Sequence, residues 1–332
     1  MLSRVASSIY WLNRYIERAE NYARFIEVNY QLAMDIGLGQ SDQWMPLIYT
    51  TGDDQLFLQR YKSPKVSNVI YFLTFDLENP NSIYSCLARA RENARTIREN
   101  ISQAMWEVLN EFFLEVKRIQ SEIVQSNSLD SITLDTPIQT QKGDKLLDFF
   151  RFVRLNCFTF YGVTDSTISH DDVYHFANIG RSLERADKST RILDMKYFIL
   201  LPHAQDEEES TEDLIQWLYL LKSASAHEMY NKVYNRILPL YIAEFIVQSP
   251  EFPRSIYFCV EEIRKSVDIV SGFAPRDYAW DSPNRMVNHV LSEISKVNLE
   301  EVFLSGFHEY IDRLQIELNQ LGDSIHRRFF ET

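Results

Sequence analysis

Asn13, Glu17, Glu20, Arg24 and Glu27 follow one another at intervals of three and four residues, in and around the stretch RYIERAENYARFI (Arg14–Ile26). At 100° per residue this spacing lays them in one stripe along a helix. A related stripe, Gly180, Glu184, Asp187, Arg191 and Asp194, surrounds RSLERADKSTRIL (Arg181–Leu193). Arginines so placed can hold a carboxylate or phosphate, and acids beside them can orient the arginines or bind an amine. The residues that would do this are Arg14, Glu17, Arg18, Glu20 and Arg24, with Arg181, Glu184, Arg185, Asp187 and Arg191. Buried near paired charges, Glu17, Glu20, Glu184 or Asp187 could instead titrate near neutral pH and act as general base or acid. The plain alternative is a set of ion pairs that hold helices in register. Glu20 to Arg24 and Asp187 to Arg191 are i,i+4 pairs in the favourable orientation. Ion-pair networks imitate functional sites in sequence, which puts this structural reading first.

Two further basic features join the stripes. RARENARTIREN (Arg89–Asn100) sets Arg91, Arg95 and Arg98 on one helix face, either as anion contacts or as a solvated face interleaved with Glu92 and Glu99. Arg254 follows Pro253 at a helix start, where free N–H groups favour anions; its counterpart Asn81 is uncharged. Other chemistry is thin. Asp172 with His175, and Asp323 with His326, have the i,i+3 spacing of di-metal bundles, which also need further inward Glu ligands; two short matches through Asp are a weak signal, exposed or capping roles come first, and no metal is expected. No phosphate-cradling Gly loop, nucleophile elbow or paired-Cys site is present, and no cofactor is expected.

The elements that carry the stripes are long helices. Proline is absent between Met1 and Met45, between Asn81 and Thr136, and between Ile138 and Leu201, which leaves room for them. Ile9, Leu12, Ile16, Ala19, Ala23, Ile26, Tyr30 and Ala33 form one apolar seam; Phe176, Ile179, Leu183, Ala186, Thr190, Leu193, Tyr197 and Leu200 form another, 167 residues on. Each helix is expected to run about 35–40 Å. A second match, NPNSIYSCLARAR (Asn79–Arg91) with EFPRSIYFCVEEIR (Glu251–Arg264), lies at an offset of 173, with Pro then Ser as initiation chemistry. Two matches in one order indicate a duplicated helical unit. The expected fold is all-α, a single domain over 1–332 built as a helical bundle of two tandem halves, about 1–125 and 145–332, joined by a polar connection 126–144. Ala104–Ile123, Lys145–Asp165, Asp213–Lys232, Ser255–Ser271 and Leu299–Phe330 also read as helices. DEEESTED (Asp206–Asp213) reads as a solvated loop with Ser210 or Thr211 as a helix cap.

Composition bounds the function. The chain has 332 residues, 45% apolar and 24% charged, with a formal charge of −13, so a nucleic-acid face, which needs clustered Lys and Arg, is not expected. No apolar run approaches ~18 residues and no leader precedes the first helix, so a cytoplasmic protein without membrane contact is expected. Cys86, Cys157 and Cys259 lie in apolar surroundings and read as reduced core residues.

The motifs, in their order along nearly the whole chain, resemble the alpha-E domain family of bacterial proteins. They include MLSRVASSIYWLNRYIERAENYARFIE, ARENARTIREN, GRSLERAD, SAHEMYNKVY and EFPRSIYFCVEEI; ISHDDVYHFANIGRSLERAD departs somewhat, with Tyr174 where a Trp is expected. The resemblance implies an all-α protein associated with ATP-grasp-type ligases and transglutaminase-like proteins, and so with making or modifying peptide or amide bonds. On that reading the chain is an accessory or substrate-binding partner whose Arg/Glu residues meet a charged substrate in a polar cavity between the halves. An acid–base enzyme and a structural, homo-oligomerising scaffold are the alternatives.

Overall fold

The computed structural model describes residues 1–36, 44–126, 141–200, 211–272 and 282–331. Among them every regular element is helical. The helices are α1 (Ser3–Ile36), α2 (Met45–Thr51), α3 (Asp54–Arg60), α4 (Val66–Thr74), α5 (Ile83–Thr96), α6 (Gln103–Ser126), α7 (Gln141–Thr167), α8 (Asp172–Leu200), α9 (Thr211–Ser223), α10 (His227–Val233), α11 (Pro239–Gln248), α12 (Ile256–Val270), α13 (Pro283–Lys296), α14 (Leu299–Ser305) and α15 (Phe307–Phe329). The fold is all-α. Most of the polar connection 126–144, and Asp206–Ser210 of the acidic loop, lie outside the described residues.

The chain forms two compact units, Trp11–Ser169 and Met1–Tyr10 with His170–Thr332. Helix α7, beyond the polar connection, therefore belongs with α1 to α6. In the first unit α5 packs on α6 and α6 on α7. Helix α7 closes on α1, where the Cys157 thiol lies 3.5 Å from the Ile16 carbonyl. Phe75 against Phe149 and Phe112 against Phe152 fill the space between, with ring centroids 5.2 and 5.7 Å apart. After α4, buried Asp76 accepts the Arg60 fork at 3.1 and 3.2 Å and the Tyr61 hydroxyl at 2.8 Å. This ties α3 to the turn that precedes α5.

In the second unit α8 packs on α12 and α15, and α13 lies against both α12 and α15. Helices α9 to α11 and α14 cover the edges. The first turns of α1 belong here: the Tyr10 ring meets Phe330 at 5.2 Å.

Every seam residue of α1 from Ile9 to Ala33 is buried, as are those of α8 from Phe176 to Leu193. Helix α1 is 34 residues long and α8 is 29, so each runs past the length that its seam alone implies. Ser82 and Ser255 cap α5 and α12 in the same way, accepting from the amides of Ser85 at 3.1 Å and Phe258 at 3.0 Å. The three cysteines are buried thiols.

Two expected helices are broken. Asp213–Lys232 divides into α9 and α10 at Ser225, a non-glycine residue with φ of 50°. Leu299–Phe330 divides into α14 and α15 at Gly306, whose φ of 137° suits only glycine. Apolar periodicity runs through both breaks. The short helices α2 to α4, α10 and α14 have too few turns for periodicity to mark them.

Gly180 interrupts the charged stripe for a packing reason. A Cβ there would lie 2.3 Å from the carbonyl oxygen of Tyr10 and 3.0 Å from its carbon, both backbone atoms. Gly180→Ala should therefore force α8 from the start of α1 and cost about 1–3 kcal/mol of stability. Chemical denaturation checks this, and a midpoint equal to that of wild type would contradict the contact.

Candidate functional site

Apolar seams oblige whatever stands beside them to be buried as well. In the first unit Glu17 and Glu20 have no exposed surface and Arg24 has 1%. Glu17 accepts the Tyr161 hydroxyl at 2.7 Å through Oε2 and the Asn21 amide at 3.1 Å through Oε1. Arg24 donates both arms of its fork to Glu20, at 3.1 and 3.2 Å, and a further bond to Asn21 Oδ1. Arg154 on α7 lies 3.9 Å from Glu20 and donates to Glu27 at 2.6 Å. A continuous chain, Tyr161–Glu17–Asn21–Arg24–Glu20–Arg154–Glu27, thus joins α1 to α7. Charge-assisted bonds of this kind compensate the carboxylates for leaving water.

The second unit has its own network. Glu184 has no exposed surface and sits 3.6 Å from the buried Lys188 ammonium. Asp187 accepts Lys188 at 2.9 Å and Arg191 Nε at 3.0 Å. Burial pushes the Asp187 carboxyl up, but Lys188 and Arg191 outweigh it and hold the group below its ordinary value. One turn before, Arg181 donates to Asn178 Oδ1 at 3.0 Å, and Asn178 donates to the Ser266 hydroxyl at 3.1 Å. His175 Nδ1 stands 3.3 Å from the same hydroxyl, and burial lowers its pKa. At the far end Asp194 meets His308 Nδ1 at 2.5 Å, a contact that raises the imidazole's pKa.

The remaining expected residues are placed as follows. Arg14 lies over Trp11 and Arg18 over Tyr15, at 5.0 and 5.9 Å from the ring centres. Arg91 donates to Asn110 on α6 at 2.8 Å and covers Trp106 and Phe113. Arg95 is 66% exposed and paired with Glu92 three residues away, on the solvated face of α5. Arg254 is buried, and its carbonyl accepts the Ser189 hydroxyl at 2.8 Å. Of the Arg/Glu residues expected to line a cavity between the halves, Arg14 and Glu17 belong to one unit, Arg181 and Glu184 to the other. Among the described residues no group of three His, Cys, Asp or Glu side chains could hold a metal ion. None of their helices is long and apolar enough to cross a membrane.

A family model described as a predicted alpha-helical domain with a conserved ER motif matches residues 1–330. The chain belongs to the Alpha-E family. Glu-Arg occurs at two places in it, Glu17-Arg18 and Glu184-Arg185. The two members of each pair part company. The glutamate turns into the buried network, whereas the half-buried arginine reaches the turn before a Ser-capped helix. Arg18 donates to Asn81 Oδ1 at 2.5 Å ahead of α5, and Arg185 to the Pro253 carbonyl at 3.4 Å ahead of α12. Two uncharacterized proteins, from Mycobacterium bovis and Mycobacterium tuberculosis, are each 21% identical over 340 residues. The match covers 97% of this chain and 35% of each relative. No solved structure matches.

Sequence reasoning missed Asn21, Tyr161, Arg154, Lys188 and Asn178. Asn21 and Lys188 had a signal, since each lies four residues after the buried Glu at the shared offset of 167. Tyr161 and Arg154 had none, because nothing local ties α7 to α1.

Two outcomes are expected. Arg24→Met should destabilise the fold by about 3–5 kcal/mol, because it strands the Glu20 charge, and Glu20→Leu with Arg24→Met should recover most of that loss in urea titrations. His308 has a raised folded pKa, so its contribution is complete below about pH 6.5 and is lost as pH rises through the folded value. The stability gap between wild type and His308→Gln should thus shrink from pH 6 to pH 9 in thermal melts; a gap that widens would contradict the pairing.

Proposed function

We propose that this protein is a binding or accessory partner of an ATP-grasp-type ligase system that forms or modifies peptide or amide bonds, and that its Arg/Glu residues recognise a charged substrate. The observation that carries this reading is the division of labour within each Glu-Arg pair. Glu17 and Glu184 are wholly buried, Glu17 held by hydrogen bonds and Glu184 beside the Lys188 ammonium, so they orient their surroundings and do not meet solvent. Arg14, Arg18, Arg181, Arg185 and Arg191 are half-buried, and a partly exposed guanidinium is the group that would meet an anion. Stability alone is a weak reason to bury so much charge, since apolar substitutes of similar volume often serve as well. About two-thirds of each mycobacterial relative lies outside the matched region, which favours a domain that works beside other polypeptide. The family resemblance supplies the partner class, including a transglutaminase-like protein. The catalytic step belongs to that partner.

The scaffold reading keeps one observation of its own: both oxygens of Glu17 and of Glu20 have donors inside the first unit. A single experiment separates the two. Wild type, Glu17→Gln with Glu184→Gln, and Arg14→Gln with Arg181→Gln serve as baits for native purification from the source cells, after circular dichroism has shown that each is folded. An ATP-grasp-type ligase held by wild type and lost from a folded variant is the expected result. Retention of the ligase by both variants assigns these residues to the fold, and its absence from every bait overturns the accessory role.

A further inference from the structure

Helices α13 and α15 of the second unit enclose a groove of about 690 Å³. Val290 and Met286 form part of its wall, and Arg285, Asn288, His289, Ser292, Gln320 and Glu317 supply the polar lining, so the groove carries one guanidinium as well as the carboxyl. Glu317 is the unusual member. Its side chain is only 16% exposed, and its Oε2 is buried with no hydrogen-bond partner among the described residues. His289 Nε2 lies 3.9 Å from Oε1 on a side chain that is 62% exposed, too far for a hydrogen bond. Burial raises the Glu317 pKa and Glu293 adds to the rise, while His289 and Arg313 lower it without restoring the ordinary value. The Tyr310 hydroxyl, seven residues before Glu317 and so on the same side of α15, is likewise buried without a partner. These groups contrast with Glu17 and Glu20, whose oxygens are all engaged within their unit.

A half-buried carboxylate short of donors binds what supplies donors and positive charge together. A primary ammonium group does so, with three N–H bonds and one charge. The groove's volume lies in the range of sites for small organic molecules. Its apolar wall suits a short carbon chain, and Asn288, Ser292 and Gln320 offer neutral hydrogen bonds along it. We infer that the α13–α15 groove is a binding site for a small primary amine, with Glu317 as the counter-charge to its ammonium. The inference stands on this groove alone and does not depend on the ligase reading.

Glycinamide, which carries the ammonium and no carboxylate, and N-acetylglycinamide, which lacks the ammonium, are the probes. Each is titrated into the full chain and followed by calorimetry and by carboxyl NMR of Glu317. Glycinamide should bind and pull the Glu317 pKa down, N-acetylglycinamide should not, and Glu317→Gln should weaken glycinamide at least tenfold. Asn288→Trp, an exposed position that fills the groove and leaves the carboxyl intact, should block binding equally and serves if Glu317→Gln fails to fold. Absence of glycinamide binding, equal binding of the two probes, or unchanged affinity in a folded variant would each overturn the inference.

Discussion

Three carboxylates, Glu17, Glu20 and Glu184, stand beside the apolar seams of α1 and α8 with no surface in contact with water. A charge in that position is tolerated only if donors surround it, so the neighbouring helices must deliver those donors at fixed places. Helix α7 brings Tyr161 and Arg154 to α1, and α8 brings Lys188 to its own acids. Helix register in each unit is thereby tied to pairing as well as to shape. A slide of about one turn would keep an apolar face toward the neighbour but would strand a carboxylate.

The same constraint separates the roles of adjacent residues. In each Glu-Arg pair, consecutive side chains point about 100° apart, so one turns to the seam and the other to its flank. On the flank, Arg18 and Arg185 find the turns ahead of α5 and α12, which start with the same serine cap. A dipeptide thus links the buried network to the start of the next matched helix in both units. This accounts for a Glu-Arg motif as a structural device. The Gly180 contact is the counterpart in backbone terms: at the stripe position that lacks a side chain, the Tyr10 carbonyl leaves no room for a Cβ.

Much of this was legible in the residues. The two seams, the positions of the acids next to them, the i,i+4 pairs, the serine caps and the buried cysteines are all consequences of local spacing, and local spacing is what a sequence displays. The breaks at Ser225 and Gly306 were not legible. A Ser in positive φ has no compositional mark, and Gly306 sits between two apolar runs that share one period. Arg91 and Arg95 show the same limit: four residues apart on one helix, one is drawn under Trp106 and Phe113 of α6 and the other stays in water.

What the sequence by itself determined is the helical class, the course of the long helices and which of their faces carry charge, because these follow from periods of three and four. What only the tertiary structure decided is the partner of each charge. Tyr161 is 144 residues from Glu17, Arg154 is 127 from Glu27 and His308 is 114 from Asp194. Such pairings depend on which helices become neighbours and in what register, and no local spacing encodes that choice. It is made by the collective packing of the apolar seams, and the charges then hold it in place.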